Sequence, residues 1–190
     1  MRIIAGKFRS RRLRPLGELA LRPTSDRLRE TLFDVLTAGD PDALADSVWL
    51  DLFAGTGAVG LEALSRGARM VHFAESSRPD AELLRRNLAD LDIRAGYELH
   101  ERKAEAALRA LDARAVACDY CFLDPPYEAA DSYDHVLRFL SSSRLLAPTT
   151  LVIAEHSARF DPGADFGRLQ RQRRLDQGDA SLSFYRLRAG

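Results

Sequence analysis

Asp51-Leu52-Phe53-Ala54-Gly55-Thr56-Gly57-Ala58-Val59-Gly60 is the stretch whose reading decides the fold. It follows the apolar run that starts at Val48 and passes into helical spacing, so a strand closes here and a helix opens. Gly55, Gly57 and Gly60 stand at G-x-G-x-x-G spacing, which suits a tight turn where a ligand approaches bare backbone at a helix start. Glu75, twenty residues after Gly55 and at the end of the next apolar run, adds a carboxylate that can accept both hydroxyls of a ribose. A nucleoside cofactor follows from the pair. Asp51 narrows the choice, because an acid four residues before the first glycine repels a pyrophosphate but can hold the ammonium of a methionine moiety, directly or through water. Its other reading is an anchor for the helix N-terminus. S-adenosylmethionine is therefore favoured over a nicotinamide dinucleotide, with Asp51, Phe53, Ala54, Gly55, Thr56, Gly57, Glu75 and Ser76 as its expected neighbours.

Outward from this loop, apolar runs of strand length alternate with helical patterns. Val48–Phe53, Met70–Ala74, Tyr97–Leu99, Tyr120–Leu123 and Leu151–Ala154 read as strands, separated by helical spacing over Val59–Leu64, Ala81–Leu91, Ala104–Leu111 and Tyr133–Leu140. Continuous apolar strands between helices call for a parallel sheet covered on both faces. Leu169–Leu175 and Ser181–Leu187, joined through Gln177-Gly178-Asp179, add an antiparallel C-terminal hairpin. The fold class is α/β, a doubly wound, mostly parallel sheet of Rossmann type. With 190 residues and 46% apolar content the chain suits one compact domain. Residues 1–22 read as a basic hairpin or extended arm, and residues 23–190 as the catalytic domain. Within the latter, Leu28, Leu32, Val35 and Leu36 form one apolar helix face, with Thr24 or Ser25 available to cap its start.

The fourth strand ends in Asp124-Pro125-Pro126-Tyr127, at the carboxyl edge where open α/β sheets bind ligands. The exocyclic amine of a base is a poor nucleophile because its lone pair is delocalised into the ring, so a site that methylates it should accept both N–H protons. Asp124 and the carbonyl of Pro125 supply two acceptors, held rigid by prolines that bring no competing donor. Tyr127 can stack on an extruded base. Asp124 also borders the cofactor and can take the released proton.

Lysine and arginine number 28, against 28 acids, but the balance is uneven along the chain. Residues 1–30 carry nine basic side chains against three acids, a net of +6, which leaves −6 for the remainder. Such an end suggests a polyanion contact. Lys7, Arg9, Arg11 and Arg12 surround Phe8 as phosphate tracking beside a stacking ring requires, and Arg22, Arg27 and Arg29 extend the patch toward the first helix. Arg27 has an alternative partner in Glu30 or Asp34. No stretch approaches the ~20 apolar residues of a membrane span, and the Arg-rich start lacks a secretion signal, so a cytoplasmic protein acting as a monomer is expected. Cys118 and Cys121 lie at an odd offset on a strand, which directs them to opposite faces as buried structural thiols. His72, His100, His135 and His156 show no metal spacing, and no metal site is expected.

Taken together, Arg2 to Lys7, Leu21 to Thr24, Asp26 to Phe33, Asp51 to Gly67 and Asp124 to Tyr127 resemble, in order and spacing, the RsmD-type bacterial methyltransferases that modify N2 of guanine 966 in 16S ribosomal RNA. The resemblance implies a class I methyltransferase fold with a seven-stranded sheet, S-adenosylmethionine as donor, and Asp124 to Tyr127 as the element that handles the amine. It implies 16S rRNA, in the small subunit or an assembly intermediate, as partner of the N-terminal extension. One departure stands out. Where related enzymes carry Asp or Asn to read the adenine amino group, this chain has Lys103 followed by Ala104, and lysine offers no acceptor. Glu105 or the backbone then takes that contact. Other readings of the same residues are methylation of an adenine amine in DNA or RNA, methylation of a protein glutamine amide, and an RNA-binding module that senses the cofactor without catalysis.

Overall fold

The structure, a computed structural model, describes residues 1–15, 23–126 and 131–188, with the side chains of 23–25 left aside. The expected side-chain cap at Thr24 or Ser25, Arg22 of the basic face and Tyr127 of the tetrapeptide lie outside the described residues. Chain order is α1 (Pro23–Leu36), β1 (Val48–Leu52), α2 (Ala58–Ser65), β2 (Met70–Ala74), α3 (Arg78–Asp90), β3 (Tyr97–His100), α4 (Ala104–Ala113), β4 (Cys118–Leu123), α5 (Asp131–Ser142), β5 (Leu146–Ser157), β6 (Asp165–Phe166), β7 (Leu169–Gln177) and β8 (Ala180–Leu187). The strands form one sheet in the order β3-β2-β1-β4-β5-β8-β7-β6. Pairing is parallel from β3 through β5, and antiparallel from β5 through β8 and β7 to β6. The two-residue strand β6 extends the expected seven strands to eight.

All five residues of β1 are buried, which is why its apolar run carries no polar alternation. Leu28, Leu32, Phe33, Leu84 and Leu88 of α1 and α3 pack on Trp49, Val71, Phe73, Phe122 and Ile153 on one side of the sheet. Ala107, Leu108, Leu111, Val136, Leu137 and Leu140 of α4 and α5 cover Leu50, Leu52, Cys121, Leu123 and Val152 on the other. Cys118 joins this second core with Cys121, contrary to the expected opposite faces. A pairing irregularity between Cys118 and Tyr120 resets the alternation of β4. Burial pushes the Cys118 thiol up to about 12 and that of Cys121 well above its ordinary value, so both stay protonated.

The N-terminal segment is built into the body of the protein rather than hung from it. Arg2 and Arg12 form an antiparallel bridge, and Ile3 and Leu13 are buried in the first core. Glu62 of α2, fully buried, accepts the backbone N–H of Ile4 at 2.7 Å and of Ala5 at 2.9 Å while pairing with Arg66 at 2.8 Å. Ser65 accepts the N–H groups of Lys7 and Phe8, through its carbonyl and hydroxyl oxygens. Asn87 of α3 accepts the N–H of Arg14 at 2.8 Å and donates to the Thr56 carbonyl at 2.9 Å, so one amide joins the N-terminal hairpin to the glycine loop.

Removing a buried carboxylate strands both its ion-pair partner and the two backbone donors. Glu62→Ala should lower unfolding free energy in urea by about 3 kcal/mol and open residues 1–14 to limited proteolysis before the rest of the chain. Proteolysis no faster than in the unaltered protein would show that the hydrophobic anchors hold the segment alone.

Candidate active site

The parallel register ends four strands together. Leu52 pairs with Ala74 on one side and Leu123 on the other, and Leu123 pairs with Ala154. The next residue on each strand is Glu75, Phe53, Asp124 and Glu155 in sheet order, so three carboxylates and an aromatic line one edge. Strand order runs outward in opposite senses from β1 and β4, and the crevice at that switch point is where an open α/β sheet takes its ligand.

The glycine loop leaves β1 through positive φ angles at Phe53 (62°), Gly55 (52°) and Gly57 (77°). At Phe53 this left-handed conformation costs about 1–2 kcal/mol and is imposed by the bonds around it. A Cβ on Gly57 would lie 2.2 Å from Leu84 Cδ1, so this glycine serves helix packing as much as ligand approach. The Gly57 N–H donates to the Ala54 carbonyl at 2.7 Å, and Ala54 N–H to the Ala74 carbonyl at 3.0 Å, which clamps the loop onto β2. Thr56 is buried beneath the N-terminal segment, its hydroxyl 3.6 Å from the Met1 sulfur.

Glu75 occupies the position its spacing predicts. One carboxylate oxygen accepts the Gly55 N–H at 2.9 Å and the other the Ser77 N–H at 2.7 Å, which fixes the carboxylate between the glycine loop and the start of α3. Ser76 beside it is exposed. Asp51 is 2% exposed and accepts the N–H of Gly60, in the first turn of α2, at 2.9 Å. The helix-anchor reading of Asp51 is thus the contact the structure shows. Burial pushes its carboxyl up to about 8, and the nearby Asp124 and Glu75 carboxylates add to the shift.

Asp124 is an exposed residue, and desolvation pushes its carboxyl up to about 7. Pro125 behind it is buried and Pro126 is exposed. Glu155, which the sequence reading passed over, is raised well above the carboxylate range by burial and then by Asp124, while Arg29 pulls it back. Arg29 was expected on the RNA face. It is instead 5% exposed, donating to the Arg2 carbonyl at 2.6 Å and to Asp26 at 3.1 Å, and its buried Nε has no partner among the described residues. It is turned inward as a counter-charge rather than outward to a phosphate. Its helical period would have placed it near the Leu28 and Leu32 face, a signal that its charge overrode. Lys103 precedes α4 with an exposed side chain, and its carbonyl accepts the N–H groups of Ala106 and Ala107. Ala104 is buried, and Glu105 is half-buried.

The basic hairpin flanks the same crevice through Met1 and Thr56. Lys7, Arg9, Arg11 and Arg12 are all exposed, Lys7 Nζ sits 5.3 Å over the Phe8 ring, and Arg11 donates to the Asp90 carbonyl. Arg27 is exposed, and among the described residues no ion pair joins it to Glu30 or Asp34. Arg171 and Arg174 of the C-terminal hairpin are taken up by Asp161 and Asp176. His156 is buried between the Ser157 carbonyl and the Ser183 hydroxyl, a structural position.

Comparison with known proteins identifies this arrangement. The family model described as Conserved hypothetical protein 95 matches residues 1–186. Ribosomal RNA small subunit methyltransferase D of Haemophilus influenzae is 36% identical over 82% of this chain and 78% of its own length. The chain belongs to the RsmD-type methyltransferase family. The solved structure of yhhF from Escherichia coli, named as a methyltransferase, superposes with a TM-score of 0.81 at 28% identity, covering 100% of this chain and 99% of that one. SMU.776, solved in complex with SAH, shares the fold at a TM-score of 0.67 and 14% identity, over 88% of this chain and 50% of that one. This RsmD-type protein is an enzyme with a class I methyltransferase fold. The residues present fit S-adenosylmethionine. A crevice bordered by Asp51, Glu75 and Asp124 gathers carboxyl groups whose ionisation burial opposes, and S-adenosylmethionine would bring a sulfonium, an ammonium and two ribose hydroxyls to pair with them.

A carboxyl raised in the folded state stabilises fully only below its unfolded value near 3.8, and that stability is lost as pH rises through about 8. Asp51→Asn keeps an acceptor for the Gly60 N–H without the charge. Without cofactor it should raise Tm at pH 8 by roughly 3 °C or more and leave it unchanged at pH 4, by calorimetry. An equal gain at both pH values would rule out the charge as the cause.

Proposed function

We propose that this enzyme transfers a methyl group from S-adenosylmethionine to the exocyclic N2 amine of guanine 966 in 16S ribosomal RNA, with the base extruded into the crevice. Asp124, exposed at the sheet edge in one row with Glu75 and the start of the glycine loop, its carboxyl raised by desolvation, is the observation that carries the reading. The names of the family relatives supply the ribosomal RNA substrate class. Residues 1–22 act as the RNA-contacting extension of a catalytic domain formed by 23–190, and the protein works as a cytoplasmic monomer on the small subunit or an assembly intermediate.

The bound cofactor supplies an electrophilic methyl group on a sulfonium. Glu75 holds the ribose hydroxyls, its carboxylate preset by Gly55 and Ser77. Asp51 orients the methionine ammonium, directly or through water, with one of its two oxygens engaged at Gly60. The backbone of Phe53 to Gly57 follows the cofactor, and the chain at Lys103 and Ala104 borders the adenine, with Glu105 or the backbone accepting from its amino group. Asp124 and the Pro125 carbonyl accept the two amine protons and keep the lone pair directed at the methyl carbon. Asp124, whose value near 7 suits proton transfer, would take the proton released from the amine nitrogen. Tyr127 stacks on the base. Lys7, Arg9, Arg11, Arg12 and Arg22, with Arg27, bind phosphates around it.

The test incubates the protein and labelled cofactor with small subunits and 16S rRNA lacking the modification, then maps the methyl group by nuclease digestion and mass spectrometry. Label on N2 of guanine 966 is expected, and label on adenine or protein would overturn the substrate. Asp124→Ala should lose several orders of magnitude in kcat while cofactor affinity stays within a few-fold. In the unaltered enzyme, kcat should rise with pH through about 7 as Asp124 ionises. Exchanging Arg9 and Arg12 for Gln should weaken RNA binding and reduce its salt slope by roughly two.

A further inference from the structure

A second constellation, which methyl transfer does not use, lies on the outer strands. His72 of β2 pairs in register with Glu98 of β3, and His100 follows Glu98 by two residues, so all three side chains share the α4 side of the sheet. His72 Nδ1 is 3.3 Å from Glu98 Oε2, and His100 Nε2 is 3.5 Å from that oxygen and 3.5 Å from His72 Nδ1. The three atoms form a nearly equilateral triangle. Zinc bonds of about 2.0–2.1 Å in tetrahedral geometry place ligand atoms about 3.4 Å apart, which is the spacing found here.

The Arg114 guanidinium donates to Glu98 Oε2 at 2.7 Å and to Oε1 at 3.0 Å. Arg114 is exposed and approaches from outside, orienting the carboxylate as an outer-shell partner orients a ligand. Two imidazoles facing each other at 3.5 Å make a poor hydrogen bond, and the shared polar centre between them suits a cation better.

We propose that His72, Glu98 and His100 bind one divalent transition-metal ion, zinc by preference, with the fourth position open to water. A set of two imidazoles and one carboxylate suits zinc, cobalt or nickel over magnesium or calcium. The ion clips β3, the exposed edge of the sheet, to β2. It sits beside the cofactor crevice, since the His100 carbonyl accepts the Glu75 N–H at 3.1 Å. The chain's sequence conceals the site because the two histidines stand 28 residues apart and meet only through strand pairing.

The test uses the full chain, stripped with a chelator and dialysed, and titrated with Co2+ and then Zn2+ without cofactor. One Co2+ per chain with the visible absorption of a tetrahedral site is expected, displaced by Zn2+, together with a rise in Tm on Zn2+ addition. His100→Ala and Glu98→Gln change side chains that are not fully buried, so both should keep the far-UV spectrum and the metal-free Tm within a few degrees while losing the band and the Zn2+-dependent rise. An absent or non-saturating band in the unaltered chain, or a band undiminished in both variants, would overturn the proposal. The readout is independent of methyl transfer, so it stands or falls apart from the proposed function.

Discussion

Strands β2, β1, β4 and β5 hydrogen-bond so that Ala74, Leu52, Leu123 and Ala154 lie in one row, and this register is the constraint on which the site depends. A slip of one residue in any of them would exchange the two faces of that strand, burying a charge in a core and removing a carboxylate from the edge. The row is held because each strand is packed on both sides. Apolar residues such as Trp49 and Phe122 face α1 to α3, and Leu50 and Cys121 face α4 and α5. Function therefore rests on the same burial that stabilises the sheet.

That register gathers carboxylates at a cost. Asp51, Asp124 and Glu155 are all raised, each chiefly by loss of water, with mutual repulsion adding to Asp51 and Glu155. The one described cation directed into the group is Arg29, itself buried with an Nε unpaired among the described residues. An edge so underneutralised favours a positively charged ligand, and a sulfonium cofactor with an ammonium group meets that need. Binding of such a ligand favours the ionised carboxylates that burial opposes, so affinity and stability are coupled through the same groups.

The N-terminal hairpin is joined to this edge by polar contacts that the first core supports. Glu62, Ser65 and Asn87 satisfy backbone groups of residues 4–14, and Asn87 reaches from there to the Thr56 carbonyl in the glycine loop. The exposed Lys7, Arg9, Arg11 and Arg12 are thereby presented at a set position beside the crevice. A polyanion bound on them is positioned relative to Asp124 by the fold itself, not by a tethered tail.

From the residues alone, the alternating sheet and helices, the C-terminal hairpin, the glycine loop, Glu75 and Asp124 could all be placed, because local hydrophobic period and short motifs report on elements and strand ends. Tertiary structure decided what depends on distant partners. It turned Arg29 inward, engaged Asp51 at Gly60, added Glu155 to the acidic edge, put Cys118 and Cys121 on one face through a bulge, and brought His72, Glu98 and His100 together. Charge and spacing along a chain say which groups are present. Which of them lose water, and which face one another, is set only when strands far apart in sequence pair, since desolvation and close-range electrostatics depend on three-dimensional distance.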